Sequence, residues 1–205
     1  MVATISITDW DINFSRRVHN LQIGFFEYLA LFFGFIFNQY LIWLVPFFTS
    51  YQAKRSEYLA ENFHAEPSIR ESKDRLALVT VLLYLLSVIF TVICTQTTKK
   101  LFGRVRPTIV NTSQIFNLRR FEGNCSMPSG DTAQAANWGM FMVLYFGNPL
   151  YFLTWIPVAF SRTFFQCHWV SDTIIGALIG VAVSLVTYTN SELLVTLIIK
   201  ALSSI

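Results

Sequence analysis

Long apolar runs alternate with short polar stretches along the chain. The apolar runs cover residues 24–50, 76–98, 129–146, 150–165 and 172–189. A helix needs about 20 apolar residues to cross the hydrocarbon core of a bilayer. The pattern therefore predicts an all-α protein, a bundle of about five to six transmembrane helices. Gly34, Asn38 and Pro46 interrupt the first run, which is predicted to be one span with a bend.

The N-terminal segment, residues 1–23, has a different pattern. Apolar side chains such as Trp10 and Phe14 interleave with polar ones such as Asp11 and His19. This mixture predicts an amphipathic helix that lies on the membrane surface.

Two other segments lie outside the predicted spans. Residues 51–75 are polar and predict a solvated loop or a short amphipathic helix. The tail, 191–205, contains apolar residues but is too short to be predicted as a further span. We interpret residues 1–205 as one integral membrane domain with a helical core at 24–190.

Composition supports a membrane protein and argues against a soluble domain and against a nucleic-acid-binding protein. Of the 205 residues, 54% are hydrophobic and only 13% are charged, whereas soluble domains contain about 25% charged residues. The net charge of +3 is small and dispersed, so nucleic-acid binding is not indicated. The N-terminus lacks the pattern of a removable signal peptide, so we expect the first apolar run to act as the targeting signal.

The cysteines give no sign of a metal site. Cys94, Cys125 and Cys167 lack the paired spacing of metal ligands. Free thiols are the simplest interpretation, and a disulfide between Cys125 and Cys167 stays open if both face an oxidising compartment. The sequence predicts neither a metal nor another cofactor.

Three polar stretches at the ends of the apolar runs are predicted to lie on one side of the membrane. They cover residues 99–107, 128–131 and 161–172. Either no crossing or two crossings separate any pair of them. Side chains at neighbouring helix ends can form one pocket, so the topology predicts a shared site.

The first two stretches carry groups that bind anions. Lys99 offers a point charge, and Arg106 offers a planar fork for two phosphate oxygens. Taken alone, a basic membrane flank would be the favoured explanation. Ser129 and Gly130 open a predicted helix, whose free N–H groups form an anion site. The alternative there is an ordinary N-cap by Ser129 or Asp131.

The third stretch adds a nucleophile. His168 and Asp172 lie four residues apart at a helix start, so the carboxylate can hold one ring nitrogen while the other attacks. Arg162 supplies a cation for an anionic substrate. The alternative is a histidine and an arginine anchored at the lipid headgroups, and this stretch alone leaves the two interpretations even.

Together, the three stretches resemble the signature of the type 2 phosphatidic acid phosphatase (PAP2) superfamily, which includes lipid phosphate phosphatases and is related to vanadium haloperoxidases. The family pattern is K-x6-RP, then PSGH, then SR-x5-H-x3-D. Lys99 and Arg106-Pro107 match the first motif, and residues 161–172 match the third in full. Three motifs in order are far more specific than one. The resemblance implies a helical core like that of PAP2 enzymes and haloperoxidases.

The second motif departs from the family pattern, because Asp131 stands where the family usually has histidine. In the family, that histidine is thought to protonate the leaving alcohol. An aspartic acid can do so only while it carries a proton; a neighbouring phosphate favours that form, and the helix start and nearby cations oppose it. We hypothesise that Asp131 is the general acid, with slower turnover or an acid-shifted optimum.

The resemblance also implies a metal-independent phosphoryl transfer in two steps. His168 would attack phosphorus to form a phosphohistidine, Asp172 would hold the ring, and water would release the phosphate. The groups that would bind the phosphate oxygens are Lys99, Arg106, Ser129, Gly130 and Arg162. The substrate would be a phosphomonoester or diphosphate lipid, reached from the lumenal or external side of the endoplasmic reticulum or plasma membrane.

Other functions stay open at this point. The change at Asp131 suggests a catalytically silent PAP2-like protein that binds phospholipid or a partner, although the His168–Asp172 pair argues against it. A lipid phosphotransferase would need only another alcohol in place of water. A transporter has weak support, because the polar groups cluster at span ends and not at the midplane.

Overall fold

The computed structural model describes residues 7–38, 41–63 and 72–203, and within these ranges the chain forms α-helices and short 3-10 segments. The helices are α1 (Ile7–His19), α2 (Phe26–Ile36), α3 (Val45–Arg55), α4 (Glu57–Asn62), α5 (Lys73–Phe102), α6 (Gly130–Phe146), α7 (Trp155–Phe164), α8 (Val170–Thr189) and α9 (Ser191–Ser203). The 3-10 segments are Ile42–Leu44, Leu118–Phe121 and Pro149–Thr154. The all-α class predicted from the sequence is confirmed.

Two helices of the described ranges, α5 and α8, are long and apolar enough to cross a bilayer. With 30 residues, α5 measures about 45 Å at the usual rise per residue, which exceeds a hydrocarbon core of about 30 Å. Ser72 caps its first turn by accepting a hydrogen bond from the Arg75 N–H at 3.4 Å. Gly103 ends the helix with a left-handed φ of 54°. The excess length carries Lys99 to the polar end of the bundle.

The first apolar run folds differently from the single bent span predicted for it. α2 ends at Ile36, and α3 begins at Val45 with Pro46 in its first turn. Proline is tolerated at a helix start, but its ring is incompatible with a continuous helix before it. The predicted bend is therefore a complete break, and the prediction of one span is wrong in this respect.

The other apolar runs lie close to their predicted positions. α6 and α8 cover the runs at 129–146 and 172–189. The run at 150–165 begins as a 3-10 segment and becomes α-helical at Trp155. The predicted tail forms α9, which packs against α5 and α8. Parts of the predicted surface segment, first run, polar segment and tail lie outside the described residues, namely 1–6, 39–40, 64–71 and 204–205.

Two glycines of α8 allow it to pack closely against α6. A methyl group on Gly180 would lie 2.1 Å from the Ala133 carbonyl oxygen, and one on Gly176 would lie 2.4 Å from that of Ser129. Small residues four positions apart let two helix backbones approach. The starts of the two helices therefore meet, and the Ser129 N–H donates to the Asp172 carbonyl oxygen at 2.9 Å.

A third glycine brings α2 close to α7. A methyl group on Gly34 would lie 2.5 Å from the Ser161 hydroxyl oxygen. The close approach lets the Gly34 carbonyl oxygen accept a hydrogen bond from Arg162 Nη1 at 3.2 Å. The fold thus uses a backbone oxygen of α2 to hold a predicted site residue.

Candidate active site

The three polar stretches meet at one end of the bundle. Arg106, in the segment after α5, contacts His168 in the loop between α7 and α8, with 3.0 Å between Arg106 Nη1 and His168 Nε2. Arg162 of α7 forms a 2.8 Å ion pair with Asp131 of α6. The structure therefore brings together segments that are far apart in sequence, as the span topology predicts.

His168 is buried between a carboxylate and a guanidinium group. Its Nδ1 lies 3.7 Å from Asp172 Oδ2, which is longer than a hydrogen bond. Arginine only donates hydrogen bonds, so Nε2 must accept from Arg106 and the ring proton is assigned to Nδ1. The lone pair of Nε2 thus points to the cationic side of the site, and the N–H faces Asp172.

The surroundings of His168 keep its ring neutral. Burial lowers the pKa of His168 well below its ordinary value, and the charges of Arg106 and Arg162 lower it further. An imidazole is nucleophilic only in its neutral form. The ring is therefore in its reactive protonation state at neutral pH.

Asp172 is held by donors on both of its oxygens. The Trp169 N–H donates to Oδ2 at 2.9 Å, and Arg104 Nη1 donates to Oδ1 at 2.7 Å. Charge-assisted bonds of this length are strong. Arg104 is absent from the predicted site residues, because in the sequence it is one of several basic residues in the same stretch.

A further carboxylate lies between the two arginines, and it too is absent from the predicted set. Glu122 Oε2 lies 2.8 Å from Arg106 Nη2, and Oε1 accepts a short hydrogen bond from Arg162 Nη2. Burial by itself would raise the pKa of Glu122, but the charges of Arg162 and Arg106 lower it below its ordinary value. The ionised carboxylate thus binds both guanidinium groups as a phosphate would.

One sequence signal could have identified Glu122. It is the single acidic residue between Lys99 and Met127, a stretch that contains six basic residues: Lys99, Lys100, Arg104, Arg106, Arg119 and Arg120. A lone carboxylate among cations at a membrane border calls for a specific partner.

Asp131 lies in the first turn of α6 and is held from two sides. Its Oδ2 forms the ion pair with Arg162 and also accepts a hydrogen bond from Asn38 Nδ2 at 3.2 Å. Asn38, which the sequence suggested as a bend position, follows α2 and reaches across to α6. Asp131 and His168 line the same cavity.

Ser129 and Gly130, predicted as phosphate ligands, have different surroundings. Ser129 is the N-cap of α6: its hydroxyl oxygen accepts from the Thr132 N–H at 3.4 Å and lies 2.9 Å from Thr132 Oγ1. This is the capping interpretation left open by the sequence. Gly130 lines the cavity at the first turn, where helix N–H groups have no acceptor within the helix.

These side chains form the polar end of a cavity of about 780 Å³. The charged and polar residues that line the cavity include Lys99, Arg106, Glu122, Asp131 and His168. Much of the remaining wall is apolar and comes from Trp43, Val88, Ile89, Val92 and Ile93. An apolar cavity with a few convergent polar groups is typical of a ligand site.

The cysteines are unpaired, and the described residues contain no cluster of possible metal ligands. Cys94, Cys125 and Cys167 are free, so Cys125 and Cys167 are not paired. Burial raises the pKa of Cys167 to about 11, which keeps this thiol protonated. Within the described ranges, no three His, Cys, Asp or Glu side chains are grouped so that they could hold a metal ion.

Comparison with known proteins places this geometry in a family context. The model of the PAP2 superfamily matches residues 80–194. The chain is similar in structure to LpxE from Aquifex aeolicus, with a TM-score of 0.61, 20% identity and coverage of 87% of this chain and 94% of that chain. It is also similar to a transmembrane PAP2-type phosphatidylglycerolphosphate phosphatase from Bacillus subtilis, with a TM-score of 0.66, 16% identity and coverage of 93% and 89%. At these identities the likeness shows the fold, and no curated protein matches the chain in sequence.

Proposed function

The chain belongs to the PAP2 superfamily, and on that basis we propose that it is a membrane phosphatase that hydrolyses a phosphomonoester or diphosphate lipid. One observation carries the proposal: Nε2 of His168 lies 3.0 Å from the Arg106 guanidinium group, at the polar end of a largely apolar cavity. A lipid phosphate has the same division, with an anionic head and an apolar tail. The apolar wall from α5 would hold the tail while the head reaches His168.

In the first step, the lone pair of His168 Nε2 attacks phosphorus. A P–N bond forms, and the bond between phosphorus and the leaving oxygen breaks. Asp131 is protonated when the phosphate anion lies beside it. It gives this proton to the leaving oxygen, so the leaving group departs as the lipid alcohol or as the protonated, shortened lipid phosphate. Asp172 stabilises the positive charge that develops on the imidazole, as carboxylates do for other catalytic histidines.

In the second step, water attacks phosphorus and the P–N bond breaks. The carboxylate of Asp131 takes the proton from the water, which restores its acid form, and inorganic phosphate leaves with His168 neutral again. Lys99, Arg106 and Arg162 stabilise the charge on the phosphoryl oxygens in both steps, and the Gly130 N–H contributes at the start of α6. Ser129 contributes by capping that helix.

We propose that the reaction needs no metal ion, because these cations supply the positive charge that Mg²⁺ supplies in other phosphoryl transfers. Lys99, Arg106 and Arg162 come from three different segments, and each lies at or beside the cavity.

By resemblance to the family, we also propose that this end of the bundle faces the lumenal or external side of the endoplasmic reticulum or plasma membrane. Labelling of an engineered surface cysteine near residue 110 in sealed vesicles tests that side.

The proposed function is tested with purified protein in detergent. Phosphatidate, a sphingoid-base phosphate and a polyprenyl diphosphate serve as substrates, and released inorganic phosphate is measured with and without EDTA. We expect turnover of at least one lipid, unchanged by EDTA, and a loss of at least about 10³-fold in His168→Ala, since removal of a nucleophile has large effects. Full activity in His168→Ala would contradict the mechanism. A loss in EDTA that Mg²⁺ restores would contradict metal independence.

A further inference from the structure

α1 carries a stripe of buried polar side chains. Asp11, Ser15 and His19 lie four residues apart on one face and are 2%, 0% and 1% exposed. In an amphipathic surface helix the polar face normally meets water. Here Trp10 and Phe14 stack on each other at 5.3 Å and are exposed, while the polar stripe is turned inward. We call Asp11, Ser15 and His19 the α1 clamp.

Two residues of the α1 clamp bind the first turn of α8. Ser15 Oγ accepts a hydrogen bond from the Val170 N–H at 2.9 Å, and Asp11 Oδ1 accepts one from the Ser171 N–H at 3.0 Å. The first N–H groups of a helix have no acceptor within it, so a partner must come from elsewhere. α1 provides two of these acceptors for the helix that contains Asp172.

The third residue of the clamp reaches the loop before α8. The centroid of the His19 ring lies 6.1 Å from that of the Trp169 ring. The clamp therefore contacts three consecutive positions of the chain, Trp169, Val170 and Ser171.

Asp11 is also linked to Asp172 through Arg104. Arg104 Nη2 donates to Asp11 Oδ2 at 2.6 Å, and Arg104 Nη1 donates to Asp172 Oδ1 at 2.7 Å. Ser171 Oγ donates to Asp11 Oδ2 at 2.5 Å. The Arg104 guanidinium group thus lies between the two carboxylates and helps to hold Asp172 in place.

We propose that Asp11 and Ser15 are positioning residues, which act through Arg104 and the start of α8 to hold Asp172 against the ring of His168. Neither residue lines the cavity, so both would act through their neighbours and not on the reacting atoms. This inference rests on the proposed function, since it assigns the clamp a role in the same reaction.

The geometry of the pair explains why such support matters. His168 Nδ1 lies 3.7 Å from Asp172 Oδ2, so the contact depends on the placement of both residues and not on a formed hydrogen bond. Misplacement by about 1 Å can cost about 100-fold in rate. Residues that orient metal ligands contribute typically about 10- to 100-fold, and we expect a similar contribution from residues that orient Asp172.

The kinetic test compares Asp11→Asn and Ser15→Ala with Asp9→Asn. Asp9 is an exposed aspartate of the same helix, which makes it a matched control for the change of charge. In Asp11→Asn we expect kcat to fall by about 10- to 100-fold, because an amide cannot form the ion pair with Arg104, and Ser15→Ala should lower it less. KM and the inhibition constant of inorganic phosphate should change less than about twofold, because the phosphate ligands are untouched.

A second measurement tests the hydrogen bonds of the clamp without relying on enzymatic activity. Hydrogen–deuterium exchange of a peptide that spans residues 168–174 reports the Val170 and Ser171 N–H groups, which donate to the clamp. We expect faster exchange in Asp11→Asn and Ser15→Ala, and the wild-type rate in Asp9→Asn.

Three results would overturn the proposal: unchanged exchange in both variants, faster exchange with unchanged kcat, or a loss of phosphate inhibition that parallels the loss of kcat. The last result would mean that α1 supports the fold in general and not the catalytic pair. Wild-type protein that hydrolyses no lipid phosphate would instead overturn the proposed function. The exchange measurement would then still decide whether the clamp exists.

Discussion

At the start of α8, Asp172 is held by the Arg104 side chain and the Trp169 N–H, donors that a bound phosphate does not require. Near the start of α6, by contrast, the carboxylates of Asp131 and of the loop residue Glu122 are held by Arg106 and Arg162. These are the arginines that would bind the phosphate in the proposed mechanism. We call the first region the nucleophile end and the second the phosphate end of the cavity. They lie side by side at the same end of the bundle.

The two ends of the cavity differ in how far their side chains are arranged for substrate before it binds. In the proposed mechanism, the nucleophile end is already arranged before substrate binds, with a neutral His168 and with Asp172 beside it. At the phosphate end, Glu122 already binds Arg106 and Arg162. In the proposed mechanism, a substrate phosphate would therefore displace Glu122 from the guanidinium groups or share them with it, because the same donors would bind both anions.

The largest effect that distinguishes the two ends concerns Asp131. We expect Asp131→Asn to lower kcat by about 10²- to 10⁴-fold for a lipid with an alkoxide leaving group, because general acid catalysis is worth that much. For p-nitrophenyl phosphate, whose leaving group needs no proton, the burst of p-nitrophenol released in the first turnover should change little, although later turnovers slow because the attack of water loses its base. Asp131→His, which restores the family residue, should be active with both.

The substrate with the good leaving group is the control for altered phosphate binding, since Asp131→Asn also removes the partner of Arg162. Equal losses in the rate of the first step with the two substrates would mean that Asp131 supports phosphate binding and not proton transfer. Full activity of Asp131→Asn with the lipid would also contradict the role.

A smaller effect is expected from Glu122→Gln. Without the carboxylate charge, Arg106 and Arg162 become available, so inorganic phosphate should inhibit about tenfold more strongly, a difference of about 1.4 kcal/mol. The ligand-free variant should unfold at a lower temperature, because two buried guanidinium groups lose their partner. Added phosphate should restore much of that loss, since a ligand of the native state stabilises it.

Glu57→Gln, at an exposed position of α4, is the matched control for Glu122→Gln. Inhibition constants measured for both variants and the wild type check the expectation. Equal inhibition in all three proteins would show that Glu122 does not compete with phosphate for the arginines.

The smallest effect is a dependence of stability on pH at the nucleophile end. Burial lowers the pKa of His168 in the folded state, whereas an unfolded histidine has a pKa of about 6.5. Below that value the unfolded state takes up the proton first, so stability is complete above it and falls as the pH falls. Between pH 6.5 and 5 one such histidine contributes at most about 2 kcal/mol.

Thermal unfolding of wild type and His168→Asn between pH 8 and 5 measures this contribution. His19, whose pKa burial lowers to about 4, adds a similar dependence to both proteins and cancels in the comparison. The wild type should lose more stability than the variant as the pH falls. Parallel curves would mean that His168 is not buried as a neutral ring.

Much of the nucleophile end and part of the phosphate end can be predicted from sequence. The apolar runs place α5, α6 and α8, and their ends place Lys99, Asp131 and Asp172, because lipid requires apolar side chains over a fixed length. The spacing of His168 and Asp172 is read directly from the chain. These features depend on local pattern and on the thickness of the bilayer.

The remaining features depend on contacts that no local pattern encodes. Glu122 lies in a loop without periodicity, and its two partners come from different segments. Asp11 and Ser171 are separated by 160 positions, so only the packing of α1 against α8 brings them together. An amphipathic pattern predicts that α1 has a polar face, but it does not say whether water or protein covers that face.

The most direct test of the central claim is to trap the phosphoryl group on the protein. Enzyme mixed with a hydrolysable lipid phosphate is quenched at alkaline pH within a single turnover, and peptides are analysed by mass spectrometry. We predict a phosphoryl group on His168 in the wild type and none in His168→Ala. With p-nitrophenyl phosphate, Asp131→Asn should carry more of it than the wild type, because loss of the base slows the attack of water. Turnover by the wild type without phosphate on His168, or with phosphate on another residue, would contradict the proposed mechanism.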